Sequence, residues 1–328
     1  MAQGIELYAD REPSHKRTWT VAAIILILVF FVVGGIASEL LIKIPAMQNL
    51  APKSTWQREV FQLIFMFGTG SLFCFAWIRF FEKRSLRTIG FSPNGWKLYG
   101  KGLLIGFGFI STVVGIIYLL GGYQIEASGI AYNFSMGSLA ALFFLFLGFV
   151  IQGATEEIFM RGWLFQLLTS RYGVAIGIIG NMLVFSALHA GNIKMSTELM
   201  IGLFNIVLVA ILLSLYALKE GTLWGVCAWH SAWNWLLGVG FGLEVSGQSL
   251  KVVPLFIDLK NVDSVPVWIH GGAFGPEASI VTSAILVLGI IYFAKQKSHG
   301  QVFSAPTTTL ANPATESIYS DKASATNG

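Results

Sequence analysis

Leu142–Leu168 reads LFFLFLGFVIQGATEEIFMRGWLFQLL, an apolar run interrupted in its middle by Glu156, Glu157 and Arg161. A membrane-spanning helix needs about 20 mostly apolar residues, and the window from 138 to 168 exceeds that. An ionised side chain at the bilayer centre costs about 2.5–3.5 kcal/mol on insertion scales, so two adjacent glutamates there demand a reason. One reading ends the helix at Thr155 and leaves both carboxylates in water. Against it, Arg161 follows Glu157 by four residues, on the same helix face and in the favourable order for an ion pair. Glu156 points about 100° away from Glu157 on a helix of 3.6 residues per turn. It is expected to have no partner within its helix and to be available as a general base.

Outward from this stretch, the chain has the composition of a membrane protein. Of its 328 residues 55% are hydrophobic and only 12% charged, with a mean hydropathy of +0.69. Soluble chains carry about 25% charged residues. Apolar windows fall at 19–42, 60–80, 102–121, 138–168, 173–192, 198–218, 222–243 and 276–294. The expected fold is therefore all-α, one bundle of about eight transmembrane helices with an intramembrane cavity. The domain reading is an N-terminal cytoplasmic arm at 1–17, a membrane domain at 18–295 and a disordered cytoplasmic tail at 296–328, with the arm unstructured like the tail. The first window is too long for a signal-peptide core and is expected to persist as a helix. Cys74 and Cys227 lie in apolar runs and read as packing residues.

Lysines and arginines set orientation, because cytoplasmic loops are the basic ones. Placing the N-terminus inside assigns fifteen of the 21 to the cytoplasmic side. Six of these lie between Arg79 and Lys101, a segment read as an amphipathic stretch on an anionic leaflet. This gives a multi-pass protein of the cell membrane, bacterial in character, with both termini cytoplasmic. The net charge of +4 comes from residues flanking apolar runs, so nucleic acid is excluded as a partner.

Two further polar sets interrupt apolar helices. Phe185-Ser186-Ala187-Leu188-His189 ends the fifth window, and the short Ser170-Arg171-Tyr172 link folds windows four and five into an antiparallel hairpin. At 1.5 Å per residue, Glu156 and His189 come out at similar heights above that link. His230-Ser231-Ala232-Trp233-Asn234 in window seven puts an imidazole and a carboxamide one turn apart on one face. The alternative for each set is structural: His189 as a packing residue, and His230 with Asn234 as interhelical hydrogen-bonding glue. Gln152, Asn181 and Asn205 are read as such glue.

Taken in order on successive helices, Glu156-Glu157-x-x-x-Arg161, Phe185-x-x-x-His189 and His230-x-x-x-Asn234 resemble the signature motifs of the CAAX protease and bacteriocin-processing family, which includes the type II CAAX prenyl endopeptidases. The resemblance covers residues 140 to 240. It implies eight helices around a membrane cavity and an intramembrane endopeptidase acting on a membrane-associated, prenylated or leader-bearing peptide. It implies further that Glu156 and His189 activate a water, that Glu157 and Arg161 hold that arrangement, and that His230 and Asn234 stabilise the oxyanion. Zinc held by Glu156, His189 and His230 is an alternative, but no His-Glu-x-x-His pair is present, and the metal-free reading is favoured.

Gly271-Gly272-Ala273-Phe274-Gly275-Pro276-Glu277 resembles a glycine-rich loop of some bacterial members. It is assigned no chemistry and is expected to form a re-entry turn, with Glu244 and Glu277 interfacial. The competing functional readings are a non-proteolytic membrane scaffold and a transporter using Glu156 in a proton relay.

Overall fold

A computed structural model describes residues 5–9, 12, 14–93, 95–129, 134–250, 252–296 and 303–304. Five helices are long and apolar enough to cross a membrane: α1 (Thr20–Leu41), α2 (Trp56–Phe81), α3 (Trp96–Leu119), α4 (Met136–Tyr172) and α6 (Thr197–Glu220). The other three expected windows form shorter helices. These are α5 (Val174–His189), α7 (Trp224–Trp235, wound on through Gly240) and α8 (Ile280–Lys295). The protein is thus an all-α, multi-pass membrane protein, with five helices rather than eight meeting the length and hydropathy of a full span.

Local chemistry sets the helix ends. Ser135 caps α4 by accepting from the Ser138 amide at 3.1 Å, and Ser196 caps α6 through the Leu199 amide at 3.2 Å; each satisfies an amide that has no intrahelical acceptor. Gly221 ends α6 at φ +72°, and Gly173 separates α4 from α5 at φ +88°. Both conformations favour glycine. Beyond the helices, Tyr123–Ser128 and Ile257–Asn261 pair antiparallel across the loops on one face.

Inside the bundle, α7 is fully enclosed, with every residue from Gly225 to Asn234 buried. It packs chiefly on α3 and α4. Small residues permit the approach, as is usual where helices meet in lipid. A Cβ on Gly106 of α3 would lie 2.6 Å from the Trp229 carbonyl oxygen. One on Gly153 of α4 would lie 3.0 Å from both the Ser231 amide nitrogen and its hydroxyl. Trp229 and Trp233 stack on one another at 4.8 Å along the same helix.

Two expectations fail at the basic end of the bundle. The segment after Arg79 does not lie on the surface as an amphipathic helix. Its carboxylate Glu82 is fully buried and gathers the Thr18 hydroxyl at 2.6 Å, the Trp163 indole at 3.1 Å and Arg84 at 3.0 Å. Arg84 is drawn in with it and also bonds Gln166; burial lowers its pKa below the ordinary arginine value. Nor is the N-terminal arm loose where it is described. Leu7 is buried, Arg17 pairs with Glu6, and the Tyr8 hydroxyl donates to the Arg161 carbonyl at 3.1 Å. Buried polar groups on α4 supply partners that hydropathy does not register. Of the tail expected at 296–328, only Gln296 and Phe303–Ser304 fall within the described residues.

Gly106→Val should lower the thermal midpoint of the detergent-solubilised protein, since overpacking a tight contact costs about 1–3 kcal/mol. Gly108→Ala, where a Cβ meets nothing within 4 Å, should leave the midpoint unchanged.

Candidate active site

The helix α4 runs unbroken through both glutamates, which are buried, so the water-exposed helix end is overturned. Directly after Glu157 the backbone widens into a π-helical stretch, Ile158–Phe165. Another, Leu236–Gly240, follows Asn234 on α7, and two more, Leu63–Phe67 and Trp77–Phe81, lie in α2. Such stretches are uncommon and tend to occur at functional sites.

Glu157 and Arg161 form the expected pair at 3.0 Å, both with no solvent exposure. The same Glu157 oxygen also meets His230 Nδ1 at 2.8 Å. Arg161 is covered from α5, where its guanidinium lies 4.6 Å over the Phe185 ring. That ring also stands edge-on to His189 at 4.8 Å and to His230 at 6.3 Å. One carboxylate and one phenyl ring thereby tie α4, α5 and α7 together.

Glu156 differs from expectation, for it does have a partner within its helix. Gln152, one turn earlier, donates to Glu156 Oε1 at 2.6 Å. The Gln152 carbonyl in turn accepts from Asn234 at 2.9 Å, so this residue is part of the site rather than general glue. A carboxamide binds through both ends, and sequence pattern alone does not say toward which neighbour it turns. Glu156 Oε2 makes no hydrogen bond among the described residues and stands 3.5 Å from His230 Nε2.

His189 Nδ1 lies 2.8 Å from the Phe185 carbonyl. A carbonyl only accepts, so Nδ1 carries the proton and a neutral His189 keeps its lone pair on Nε2. Glu156, His189, His230, Asn234 and Gln152 all line one cavity of about 670 Å³, while Glu157 and Arg161 stand behind it.

Glu277 was expected at the interface. It is instead buried and lines the same cavity. It accepts from the Trp233 indole at 3.1 Å, the Ser246 hydroxyl at 2.8 Å and the Ser246 amide. Asn205, read as glue, fastens this turn by donating to the Glu277 and Ser279 carbonyls at 2.8 and 2.9 Å. The signal for Glu277 in the sequence was the loop of Gly271, Gly272 and Gly275, each at positive φ. Asn181 is glue as read, donating to Ser214 at 2.8 Å.

A zinc site built from Glu156, His189 and His230 would need all three to converge on one point. Among the described residues no three His, Cys, Asp or Glu side chains are placed to hold a metal ion. His230 Nδ1 is committed to Glu157 at 2.8 Å, and its Nε2 lies 3.5 Å from Glu156 Oε2.

Fold and site together define a class, a multi-pass helical membrane protein with ionisable side chains gathered on a cavity between its helices. Residues 138–236 match the family described as type II CAAX prenyl endopeptidase Rce1-like. This match covers all three motifs, and the resemblance read from them is to that family. No curated protein and no solved structure matches the chain.

Removing one member of a buried ion pair costs about 3–5 kcal/mol, because the other charge is left uncompensated. Glu157→Ala should accordingly depress the thermal midpoint steeply, while Glu156→Gln, which retains an acceptor for Gln152, should change it little. Equal losses in the two variants would remove the distinction between a supporting and a reacting carboxylate.

Proposed function

We propose that this protein is an intramembrane endopeptidase that hydrolyses a peptide bond with a water activated by Glu156 and His189. The observation that carries the reading is the sharing of one membrane cavity by Glu156, His189, His230 and Asn234, with a buried Glu157–Arg161 pair behind them, inside the Rce1-like segment.

The chemistry follows from which atoms are committed and which are free. His189 holds its proton toward the Phe185 carbonyl, which leaves Nε2 to take one from water. Glu156 Oε2, without a hydrogen-bond donor among the described residues, is the second acceptor for that water. The hydroxide oxygen bonds to the scissile carbonyl carbon, whose oxygen becomes an oxyanion. Asn234 spends one amide hydrogen on Gln152 and has a second to offer. His230, in the doubly protonated form, donates Nδ1–H to Glu157 and turns its Nε2–H, which stands 3.5 Å from Glu156 Oε2, to the oxyanion as charge develops there. The proton taken from water then passes to the departing nitrogen, the C–N bond breaks, and the products are a carboxylic acid and an amine, which exchange a proton to become carboxylate and ammonium. Preorganised donors of this kind contribute because they are already aimed where charge develops.

Glu156→Gln and His189→Ala should each abolish processing, and Asn234→Ala should slow it by about 10²- to 10³-fold, the usual effect of losing one oxyanion donor. The measurement is a comparison of protein termini in membranes carrying wild type or variant. Identical termini in the wild-type and Glu156→Gln membranes would refute the peptidase reading. They would favour a scaffold, and proton-coupled flux lost in the same variant would favour a transporter.

A further inference from the structure

The cavity's position along the helices says where its substrate comes from. Its rim is built from helix ends that all lie on one face of the bundle. Glu39 is near the C-terminal end of α1 and Glu59 is in the first turn of α2, while Asn192 follows α5, Gln248 follows α7 and Glu277 precedes α8. The opposite face carries the basic connections: Lys83, Arg84 and Arg87 between α2 and α3, Arg171 at the α4–α5 turn, Lys219 at the end of α6 and Lys295 at the end of α8. Basic connections mark the cytoplasmic side. The floor of the cavity faces that side, for behind His230 stand Glu157 and Arg161, and behind Arg161 stands Tyr8 of the N-terminal arm.

The lining has a charge character as well. Glu39, Glu59, Glu156 and Glu277 contribute carboxylates, and no lysine or arginine lines the cavity among the described residues. A free carboxyl terminus carries an anion, and apart from His230, whose charge is already shared with Glu157, the lining offers it no cationic partner among the described residues, so its transfer from water is unfavourable.

Resting on the peptidase reading, we propose that the cavity opens on the extracytoplasmic face and accepts an internal, neutral or basic segment of a translocated polypeptide. The carboxyl terminus of a cytoplasmic protein is then not its substrate. Entry is by the rim between the α1–α2 and α7–α8 connections, and the scissile bond descends from there to Glu156 and His189.

Two measurements test this on the full-length protein in intact cells. Gln248 is exposed at the rim and Arg87 is exposed on the basic face, while Cys74 and Cys227 are buried, so the wild type supplies the unlabelled blank. A membrane-impermeant maleimide should label Gln248→Cys in intact cells and Arg87→Cys only after permeabilisation. Ser249→Cys, one residue along and also exposed, replaces Gln248→Cys if that variant fails to accumulate. The reverse pattern overturns the assignment of the face.

The second measurement compares peptides shaved from the surface of cells carrying wild type or Glu156→Gln, together with the protein termini in their membrane and cytoplasmic fractions. Internal cuts in surface segments that disappear in the variant support the substrate class. Loss confined to the carboxyl termini of cytoplasmic proteins overturns it. No difference in any compartment overturns the peptidase reading and the substrate class with it, while the labelling still decides the face.

Discussion

A guanidinium with no access to solvent has to be met by charge and by a polarisable surface, or the fold that contains it is not stable. Arg161 is such a group, and the surrounding bundle is arranged to meet it. Glu157 supplies the counter-charge from the same helix, Phe185 supplies a ring face from α5, and His230 from α7 shares the Glu157 oxygen. Once those three are fixed, the relative rotation of α4, α5 and α7 is fixed with them. Glu156, His189 and Asn234 then have to look into the space between those helices. The buried pair need not add net stability compared with an apolar replacement. Its effect is on geometry, since the helices satisfy it in one arrangement.

The rest of the packing keeps that arrangement close and dry. Helix α7, carrying His230 and Asn234, is enclosed on every side. Glycines at 106 and 153 let neighbouring backbones approach it, and the Trp229–Trp233 stack fills its flank. At the basic end, Glu82 collects Thr18, Trp163 and Arg84 into one knot, which holds the start of α1 against α4. The π-helical stretch after Glu157 carries both Arg161 of the ion pair and Trp163 of that knot.

Much of this was legible in the sequence, for identifiable reasons. Hydropathy finds long helices because lipid leaves a segment no other way to satisfy its backbone, and α1, α2, α3, α4 and α6 were found so. The spacing of Glu157 and Arg161 sufficed for their pairing, since one turn of helix brings positions four apart together. What escaped was whatever depends on a partner far away in the chain. Gln152 turns toward Glu156 and Asn234, and Glu277 turns inward because Trp233 and Ser246 offer it donors. Arg84 was read as surface charge because Gln166, and the Thr18 and Trp163 that draw Glu82 inward with it, lie on other segments. The brevity of α5, α7 and α8 was masked by apolar residues in adjoining turns, which a hydropathy window counts as helix.

The Tyr8 contact has a bearing on which kinds of work the molecule suits. By seating a phenol against the Arg161 carbonyl, with Leu7 buried beside it, the chain stoppers the well of polar side chains behind the Glu157–Arg161 pair. Carrying an ion or solute across a bilayer would require the stopper to be drawn on every cycle. Splitting an amide with water asks for nothing of the kind, because reactant and products use the same opening and each proton borrowed is given back within the well.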